Sequence, residues 1–223
     1  MVIKVPRFTI GSYGLSLAYS RSKSSTNALL HGFSDADYER LRRYLKSDSC
    51  MHASFQSPLL VASQILGYYR ENAERHRQMI DEHIYTTESS LGYAVPGSLM
   101  YDYGPQSTAK IDPERIVQKL QNSHNDYMRK LHLCQIELVA LTHAANFGKD
   151  LGFFLQKVSE EMDAMQLSAQ CKDADRAAAN EAMLHDIDFQ ISLWSTLLSQ
   201  KSALKERTHI HINLVSVPLL WSD

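Results

Sequence analysis

Three long stretches of the chain repeat apolar residues at steps of three and four, which is the spacing of one helix face. The first repeat comprises Ala62, Leu66, Tyr69, Ala73, His76, Ile80, Ile84, Thr87 and Leu91. The second comprises Ile116, Leu120, His124, Tyr127, Leu131, Cys134, Leu138, Leu141 and Ala145, and resumes with Leu151, Leu155, Val158, Met162 and Met165. The third comprises Leu184, Ile187, Ile191, Trp194 and Leu198, extended loosely by Leu204 and Ile212. Repeats close to 3.5 residues predict three long coiled-coil-like helices.

Residues that favour helix ends bound the first two of these helices. Ser57 suits a helix cap, and Pro58 suits the first helical position, where its missing amide hydrogen costs nothing. Gly92 is expected to end the same helix. Asp112 and Pro113 give the second long helix the same kind of start.

Breakers inside and between the helices shape the rest of the pattern. Gly148 and Gly152 each weaken a helix interior by about 1 kcal/mol relative to alanine, so the second long helix is compatible with a kink near one of them. A short break at residues 166–171 separates it from the third long helix, which is expected over 173–207. Residues 92–111 contain Pro and Gly and predict a long connection.

The N-terminal segment follows a different pattern. Residues 7–19 partly alternate and contain two glycines, which predicts a strand or a hairpin. Residues 20–27 are polar and predict a mobile connection. Ser34 then suits the cap of a short helix that ends near Lys46 and has acidic residues in its first turn. Its apolar edge is formed by Tyr38, Leu41 and Leu45.

These elements predict a mainly α protein: an elongated bundle of three long coiled-coil-like helices with a short N-terminal helix and a small irregular or β N-terminal segment. We divide it into a small N-terminal segment, residues 1–54, and a stalk-like long-helix domain, residues 55–223. A monomer that left its seams in water would expose a large apolar surface, which monomeric proteins rarely tolerate. Burial of the seams therefore favours self-association or a helical protein partner.

Composition and charge exclude some classes of protein. The chain has 223 residues, of which 44% are hydrophobic and 22% charged, as in folded globular proteins rather than disordered ones. The formal net charge of −2 gives no bulk attraction for nucleic acid. Residues 1–50 hold eight Lys and Arg against four acidic residues. We interpret them as solvated surface, with contact to acidic lipid or protein as the alternative.

The sequence carries no signal for secretion or membrane insertion. Its start lacks the apolar core of a signal peptide, and no window approaches about 18 consecutive apolar residues, so no membrane span is expected. Cys50, Cys134 and Cys171 are widely spaced and form neither a disulfide framework nor a paired metal site. Cys134 falls on a predicted seam, where a thiol acts as a small hydrophobic group. We expect a cytoplasmic protein.

The histidines are the first candidates for metal ligands. His209 and His211 form the closest pair, but on a helix residues two apart point about 200° away from each other and cannot share an ion. On a strand they would point the same way, although no carboxylate or cysteine nearby completes a site. His76 and His83 lie seven apart on one seam. We interpret them as partly solvated residues at the seam edge, with titration at a helix interface as the alternative.

Other chemical motifs are weak or do not occur in the sequence. Glu160, Glu161 and Asp163 indicate a solvated helix face, or alternatively a weak divalent-cation site. The sequence contains no zinc-hydrolase His-Glu-x-x-His, no Gly-x-Ser-x-Gly, no phosphate loop and no dinucleotide-binding glycine pattern. We therefore predict no catalytic, cofactor-binding or metal-ligating residue, and we do not expect an enzyme.

Three stretches, residues 55–92, 131–158 and 197–217, together carry a family resemblance. In order and character they resemble the helical cytoplasmic region of fungal CorA-like magnesium-transporter homologues. In that family a capped helix ends in a Glu-rich turn and a glycine, a Leu-His-bearing helix follows, and a stalk helix leads to the membrane. The residues that match the stalk are Leu204, Lys205, Arg207, Ile212, Asn213, Leu214 and Val215.

The resemblance has departures that limit what it implies. The sequence contains neither the family's two membrane helices nor its Gly-Met-Asn signature, and the family's α/β part is reduced to residues 1–54 at most. The resemblance thus implies a stalk-like domain that self-associates or binds a partner and does not conduct ions by itself. It also implies weak Mg²⁺ binding by acidic helix faces, and membrane association only in a longer form. The alternative is a free-standing soluble coiled-coil adaptor or scaffold unrelated to transport.

Overall fold

The computed structural model describes residues 1–4, 10, 13–20, 25–46, 57–91, 113–167 and 174–216, without the side chains of 91, 113–124, 165–167 and 174–177. The elements are the strands β1 (Val2–Lys4), β2 (Gly14–Ser20) and β3 (Ser25–His31) and the helices α1 (Asp35–Lys46), α2 (Leu60–Leu91), α3 (Pro113–Leu167) and α4 (Ala174–Ser216). The prediction of a mainly α protein with a small β segment at its N-terminus is confirmed. The bundle and coiled-coil geometry stays a prediction.

The three strands form one antiparallel sheet in the order β1-β2-β3. Leu15 and Leu17 on β2 are buried while their neighbours Ser16 and Ala18 are exposed, the alternation expected of a half-buried strand. The strand predicted within residues 7–19 is therefore present from Gly14 onward, and residues 5–9 and 11–12 lie outside the described residues.

Part of the predicted mobile connection is instead a strand. Residues 25–27 open β3, where Ser25 lies opposite Ser20 and Asn27 opposite Ala18. Pairing with the backbone of β2 outweighs the polar composition, because strand formation depends more on neighbours than on intrinsic preference. Residues 21–24 lie outside the described residues.

Helix α1 begins as its sequence predicts. The Ser34 hydroxyl accepts a hydrogen bond from the backbone amide of Asp37 at 3.1 Å and donates one to the Asp37 carboxylate at 2.7 Å. Of its predicted apolar edge, Leu41 is fully buried, but Tyr38 remains 52% exposed. Leu45 is half-buried, so the apolar attachment of the helix is formed by Leu41 and part of Leu45.

The bounds of the long helices agree with the predicted caps to within a few residues, except at the end of α4. Helix α2 begins at Leu60, after a turn in which the Ser57 hydroxyl accepts from the amide of Leu59 at 3.3 Å. It ends at Leu91, and α3 begins at Pro113. Helix α4 continues past the predicted end near residue 207 to Ser216. This extra length is held by apolar contacts described below.

The chain divides into two compact units, and each long helix contributes to both. Unit 1 comprises Met1–Glu74 and Thr142–Leu198, and unit 2 comprises Arg75–Leu141 and Ser199–Asp223. This division is different in kind from the predicted boundary after residue 54, which stays a prediction. Each unit is described by itself below.

Most of the predicted seam residues of α2 and α3 are buried. On α2 these are Ala62, Leu66, Tyr69, Ala73, Ile80, Ile84 and Thr87. On α3 they are Leu131, Cys134, Leu138, Leu141, Ala145, Leu151 and Leu155. Val158 and Met162 are partly buried. The seam side chains of Leu91, Ile116, Leu120, His124 and Met165 lie outside those described.

The buried face of α4 differs from the predicted one. Leu184, Leu198 and Ile212 were expected on the seam, but each is only partly buried. The buried residues of α4 are Ala179, Asn180, Met183, Ile187, Ile191, Trp194, Leu197, Leu204, Thr208, His211 and Val215. Three of these buried residues are polar. At three places the buried residue precedes the predicted one by a single position: Met183 instead of Leu184, Leu197 instead of Leu198, and His211 instead of Ile212.

Aromatic rings form the centre of unit 1. The Tyr69 ring lies 5.4 Å from the Trp194 ring and 5.8 Å from the Phe147 ring, measured between centroids. Tyr13, just before β2, meets the edge of Tyr69 at 6.4 Å. Tyr69 and Trp194 are both fully buried. One aromatic group therefore joins the sheet to α2, α3 and α4.

The glycines of α3 serve close packing. A Cβ added at Gly148 would lie 2.3 Å from Cε2 of Trp194, and one added at Gly152 would lie 2.5 Å from Cγ1 of Ile191. Helix α3 is a single element through both positions. The absence of side chains at these glycines lets the backbone of α3 approach Trp194 and Ile191 of α4 within unit 1. This close packing accounts for the two glycines without the predicted kink.

The apolar centre of unit 2 explains the length of α4. Leu131 on α3 and Val215 on α4 are fully buried against each other, with Tyr127, Met128 and Ile212 packed around them. Cys134 is also buried, as its seam position predicted. Burial, followed by the charge of nearby Glu137, raises the pKa of the Cys134 thiol to about 11. The thiol is thus protonated at neutral pH and unsuited to nucleophilic chemistry.

Substitution of Gly148 by alanine tests the close approach to Trp194. We expect Gly148→Ala to lower the free energy of unfolding by about 1–3 kcal/mol, because the added methyl group overlaps a buried ring. Gly67→Ala is the matched control, since its added Cβ would lie 3.5 Å from Nε2 of Gln190, an ordinary contact. That control should raise the free energy by about 0.5–1 kcal/mol. Urea denaturation followed by circular dichroism measures the free energy of unfolding of both variants. Equal changes in the two variants would contradict the close packing of Gly148 against Trp194.

Candidate functional site

The most highly charged buried site among the described residues lies between α2 and α4 in unit 2. It consists of Asp81 and Glu88 on α2 and Arg207 and His211 on α4, and we call it the Glu88 cluster. Asp81 and Glu88 are seven residues apart, and Arg207 and His211 are four apart. Both spacings place two residues on one helix face, so each helix presents a pair of charged groups to the other.

Glu88 is the centre of the cluster. Its side chain is 1% exposed. Oε1 accepts hydrogen bonds from Nε of Arg207 at 3.2 Å and lies 2.6 Å from Nε2 of His211, while Oε2 accepts one from Nη2 of Arg207 at 2.7 Å. Both carboxylate oxygens are therefore engaged. A forked guanidinium contact of this kind is among the stronger hydrogen-bonding arrangements in proteins.

Arg207 extends the cluster toward the surface. Its Nη1 donates to Oδ1 of Asp81 at 2.7 Å, and the Asp81 side chain is 38% exposed. The other Asp81 oxygen, Oδ2, lies 3.4 Å from Nη1 of Arg77 on the same helix. The charge of Glu88 is thus compensated by Arg207, which also reaches a partly solvated carboxylate.

The protonation of the cluster follows from its burial and its contacts. Burial by itself would raise the pKa of Glu88, but the hydrogen bonds from His211 and Arg207 and their positive charges outweigh it. The net pKa of Glu88 lies below the ordinary value of 4.5. Burial likewise opposes the charge of Arg207, and its bonds to Glu88 and Asp81 raise its pKa overall. At neutral pH the pair is ionised.

The predicted histidine positions separate into different environments. His209 is exposed and His211 is buried, so the two point apart on a helix as expected. His83 is exposed, whereas His76 is half-buried. Burial lowers the pKa of His76, while the charge of nearby Glu137 opposes that shift.

Sequence reasoning missed the Glu88 cluster. Arg207 was noted only as part of the stalk resemblance and His211 only as half of a histidine pair. A signal was nevertheless present, since Glu88 directly follows the seam residue Thr87. Glu88 also lies four residues after the seam residue Ile84, on the same side of the helix, and a carboxylate that is buried there requires a positive partner.

The acidic residues of α3 that were considered for a cation site lie in different surroundings. Glu160 and Glu161 are exposed, and Asp163 accepts a hydrogen bond from the amide of Asn180 in unit 1. Glu161 also lies 4.0 Å from the ammonium group of Lys157. Within the described residues, no three His, Cys, Asp or Glu side chains are grouped so that they could hold a metal ion.

The chemistry available to the Glu88 cluster is electrostatic. Both Glu88 oxygens accept hydrogen bonds from protein groups, and the side chain is 1% exposed. A general base must reach the proton that it removes. The cluster is thus arranged to hold α4 on α2 in unit 2, and it makes this attachment depend on the charge of one carboxylate.

A second feature of unit 2 is a strip of exposed apolar side chains on α3. Leu133, Ile136 and Val139 are 49%, 67% and 57% exposed. At 3.6 residues per turn, these three lie on the side of the helix opposite to the buried residues Leu131 and Cys134. We call them the α3 strip. It is a surface that faces solvent in the isolated chain.

Comparison with known proteins gives no match from which a function could be inferred. No protein-family model matches the sequence, and neither a curated protein nor a solved structure is significantly similar to it. Among the described helices, none has an apolar stretch long enough to cross a bilayer. The function therefore has to be argued from the geometry.

The Glu88 cluster predicts a pH-dependent contribution to stability. Glu88→Gln should lower the free energy of unfolding by roughly 2–4 kcal/mol at pH 7, because Arg207 and His211 lose a buried counter-charge. The folded-state pKa of Glu88 is depressed, so its contribution is complete above the unfolded value of about 4.5 and is lost as pH falls below it. The difference between wild type and variant should therefore shrink on acidification.

Denaturation curves between neutral and acidic pH test this expectation. Glu82→Gln is the matched control, since Glu82 is an exposed carboxylate on the same helix. Its effect should stay within about 0.5 kcal/mol. A difference for Glu88→Gln that is no larger than the control, or that grows on acidification, would show that the cluster does not hold the two helices together.

Proposed function

We propose that this chain is a non-catalytic helical interaction module that acts by self-association, with a helical protein partner as the alternative occupant of the same surface. The observation that carries the proposal is the α3 strip. Side chains of this size are usually buried when they lie together on one helix face. A face with apolar residues at steps of three is typical of helix-to-helix recognition.

The α3 strip is compatible with pairing between two copies. In an antiparallel crossing of two α3 helices centred on Ile136, Leu133 of one copy would lie beside Val139 of the other. A two-fold axis makes such a contact self-complementary, which is the commonest form of homodimer. Stable interfaces use roughly 20–30 residues a side, so a strip of three apolar residues supports a weak association that depends on concentration.

The relation to CorA-type transporters remains part of the proposal. It rests on the stalk-like stretch of α4, in which Leu204 and Val215 are buried and Arg207 binds Glu88. These positions would serve helix packing in a stalk. Under this proposal the domain has the bundle architecture expected from its seams, belongs to the cytoplasm and does not conduct ions.

A second candidate function is that of a free-standing adaptor or scaffold unrelated to transport. The same strip supports it, since an adaptor also needs an exposed apolar face. The two candidates differ in their response to magnesium. A stalk of the CorA type would assemble in a magnesium-dependent way, whereas an adaptor would be indifferent to the ion.

Sedimentation velocity over a range of protein concentrations tests self-association. We expect the weight-average mass of the wild type to rise with concentration, and Ile136→Glu to abolish the rise by placing a charge in the contact. Met79→Glu is the matched control, because Met79 is a 50% exposed apolar residue on α2 of the same unit. A wild type that stays monomeric, or equal loss in both variants, would overturn the proposal.

The same measurement with and without millimolar magnesium separates the two candidates. A defined oligomer that forms only with magnesium favours the transporter-related stalk. Association that magnesium does not alter contradicts magnesium sensing and favours the adaptor. Circular dichroism of each variant shows whether the substitution has left the helices intact.

A further inference from the structure

Unit 1 contains a concave polar pocket that the proposed function does not use. It has a volume of about 550 Å³ and lies where α1, α2 and α4 meet. Arginines line it from two sides: Arg40 and Arg43 come from α1, and Arg70 comes from α2. The carboxylate that faces them is that of Glu71. The lining of the pocket therefore carries an excess of positive charge.

Arg40 and Glu71 neutralise each other. Nη1 and Nη2 of Arg40 donate to the two Glu71 oxygens at 2.7 and 3.1 Å. The Arg40 guanidinium also lies 5.2 Å from the centre of the Tyr68 ring, and the hydrogen bond to Glu71 is the main cause that raises its pKa. This ion pair lines the pocket without adding net charge. The net charge of the pocket comes from the other two arginines.

Arg43 and Arg70 are both anchored through Nε. Nε of Arg70 donates to Oε1 of Gln190 at 3.1 Å, and Nε of Arg43 donates to the backbone oxygen of Glu39 at 3.4 Å. Among the described residues, these are the hydrogen bonds of the two guanidinium groups. Within the part of the chain that the structure describes, the terminal nitrogens of both arginines therefore remain available to a ligand. An arginine held by one nitrogen loses less freedom on binding than one that is free.

One part of the pocket lining is less suited to an anion. Ser63 belongs to it, and the Ser63 hydroxyl donates to the carboxylate of Asp186. A negative ligand would be repelled near this carboxylate and attracted to Arg43 and Arg70. Gly67 also lines the pocket and has no side chain, and a Cβ added there would lie 3.5 Å from Nε2 of Gln190.

We propose that this pocket binds a phosphate-bearing anion, which Arg43 and Arg70 hold through their terminal nitrogens. Planar guanidinium groups match the oxygens of phosphate in paired hydrogen bonds, and two of them on different helices can contact one phosphate together. The phosphate belongs either to a free soluble compound or to a phospholipid headgroup. Both sources present the same chemistry to the pocket.

Calorimetric titration of the full chain with inorganic pyrophosphate tests the proposal for a soluble source. We expect saturable binding that the double substitution Arg43→Gln with Arg70→Gln weakens by about tenfold or more, since two charge-assisted contacts are lost. The double variant Arg43→Lys with Arg70→Lys should have an affinity between those of the wild type and the glutamine variant. Lysine keeps the positive charge but cannot form the paired hydrogen bonds of a guanidinium group.

Arg42→Gln is the matched control for net charge. Arg42 neighbours Arg43 on α1 but lies against Glu39 at 3.0 Å and does not line the pocket. Its substitution should change pyrophosphate affinity by less than about threefold, as expected of screened surface charge. Thermal unfolding of each variant, followed by circular dichroism, confirms that the fold is retained.

Vesicle sedimentation distinguishes the lipid source. Phosphatidylcholine vesicles with phosphatidic acid are compared with vesicles carrying phosphatidylserine at the same surface charge. The pocket is assigned to a lipid headgroup if the wild type binds phosphatidic acid, pyrophosphate displaces it, and the double glutamine variant does not bind. Binding of pyrophosphate without binding of phosphatidic acid assigns the pocket to a soluble compound. Binding to neither probe, or equal losses with Arg42→Gln, would overturn the proposal.

Discussion

A carboxylate with 1% of its side chain exposed needs hydrogen-bonding partners at both oxygens, and Glu88 meets this requirement through Arg207 and His211. The requirement fixes the rotation of α4 in unit 2. Once Arg207 and His211 face α2, the neighbouring positions Leu204 and Val215 are turned into the apolar centre. The packing of α4 in this unit therefore follows from one buried charge as much as from its hydrophobic residues.

The predictable part of the fold is the part in which apolar spacing and capping agree. Helix α1 begins at the cap that Ser34 provides, and the apolar seam of α3 is buried from Leu131 to Leu155. The buried face of α4 could not be predicted correctly from apolar spacing. His211 lies on that face because it contacts Glu88, a residue more than a hundred positions earlier in the chain. Gly148 could not be interpreted either, since its role depends on the Trp194 ring across the helix interface.

The two proposals use opposite physical properties of the surface. The α3 strip offers apolar side chains, which favour contact with another protein surface, and the arginine pocket offers unpaired positive charge, which favours phosphate. They lie in different units and depend on different helices. Neither surface was predicted from the sequence, because the exposure of Ile136 and the presence of Arg43 and Arg70 around one pocket are consequences of packing. The one sequence feature related to the pocket was the excess of basic residues in positions 1–50, which include Arg43.

The most direct test of the account is a double-mutant cycle between Glu88 and Arg207. Unfolding free energies of wild type, Glu88→Gln, Arg207→Gln and the double variant are measured at neutral pH. We predict that the double variant loses less than the sum of the single losses, with a coupling energy of about 1–3 kcal/mol. Losses that add within about 0.5 kcal/mol would contradict the claim that the buried charge pair holds α4 on α2 in unit 2.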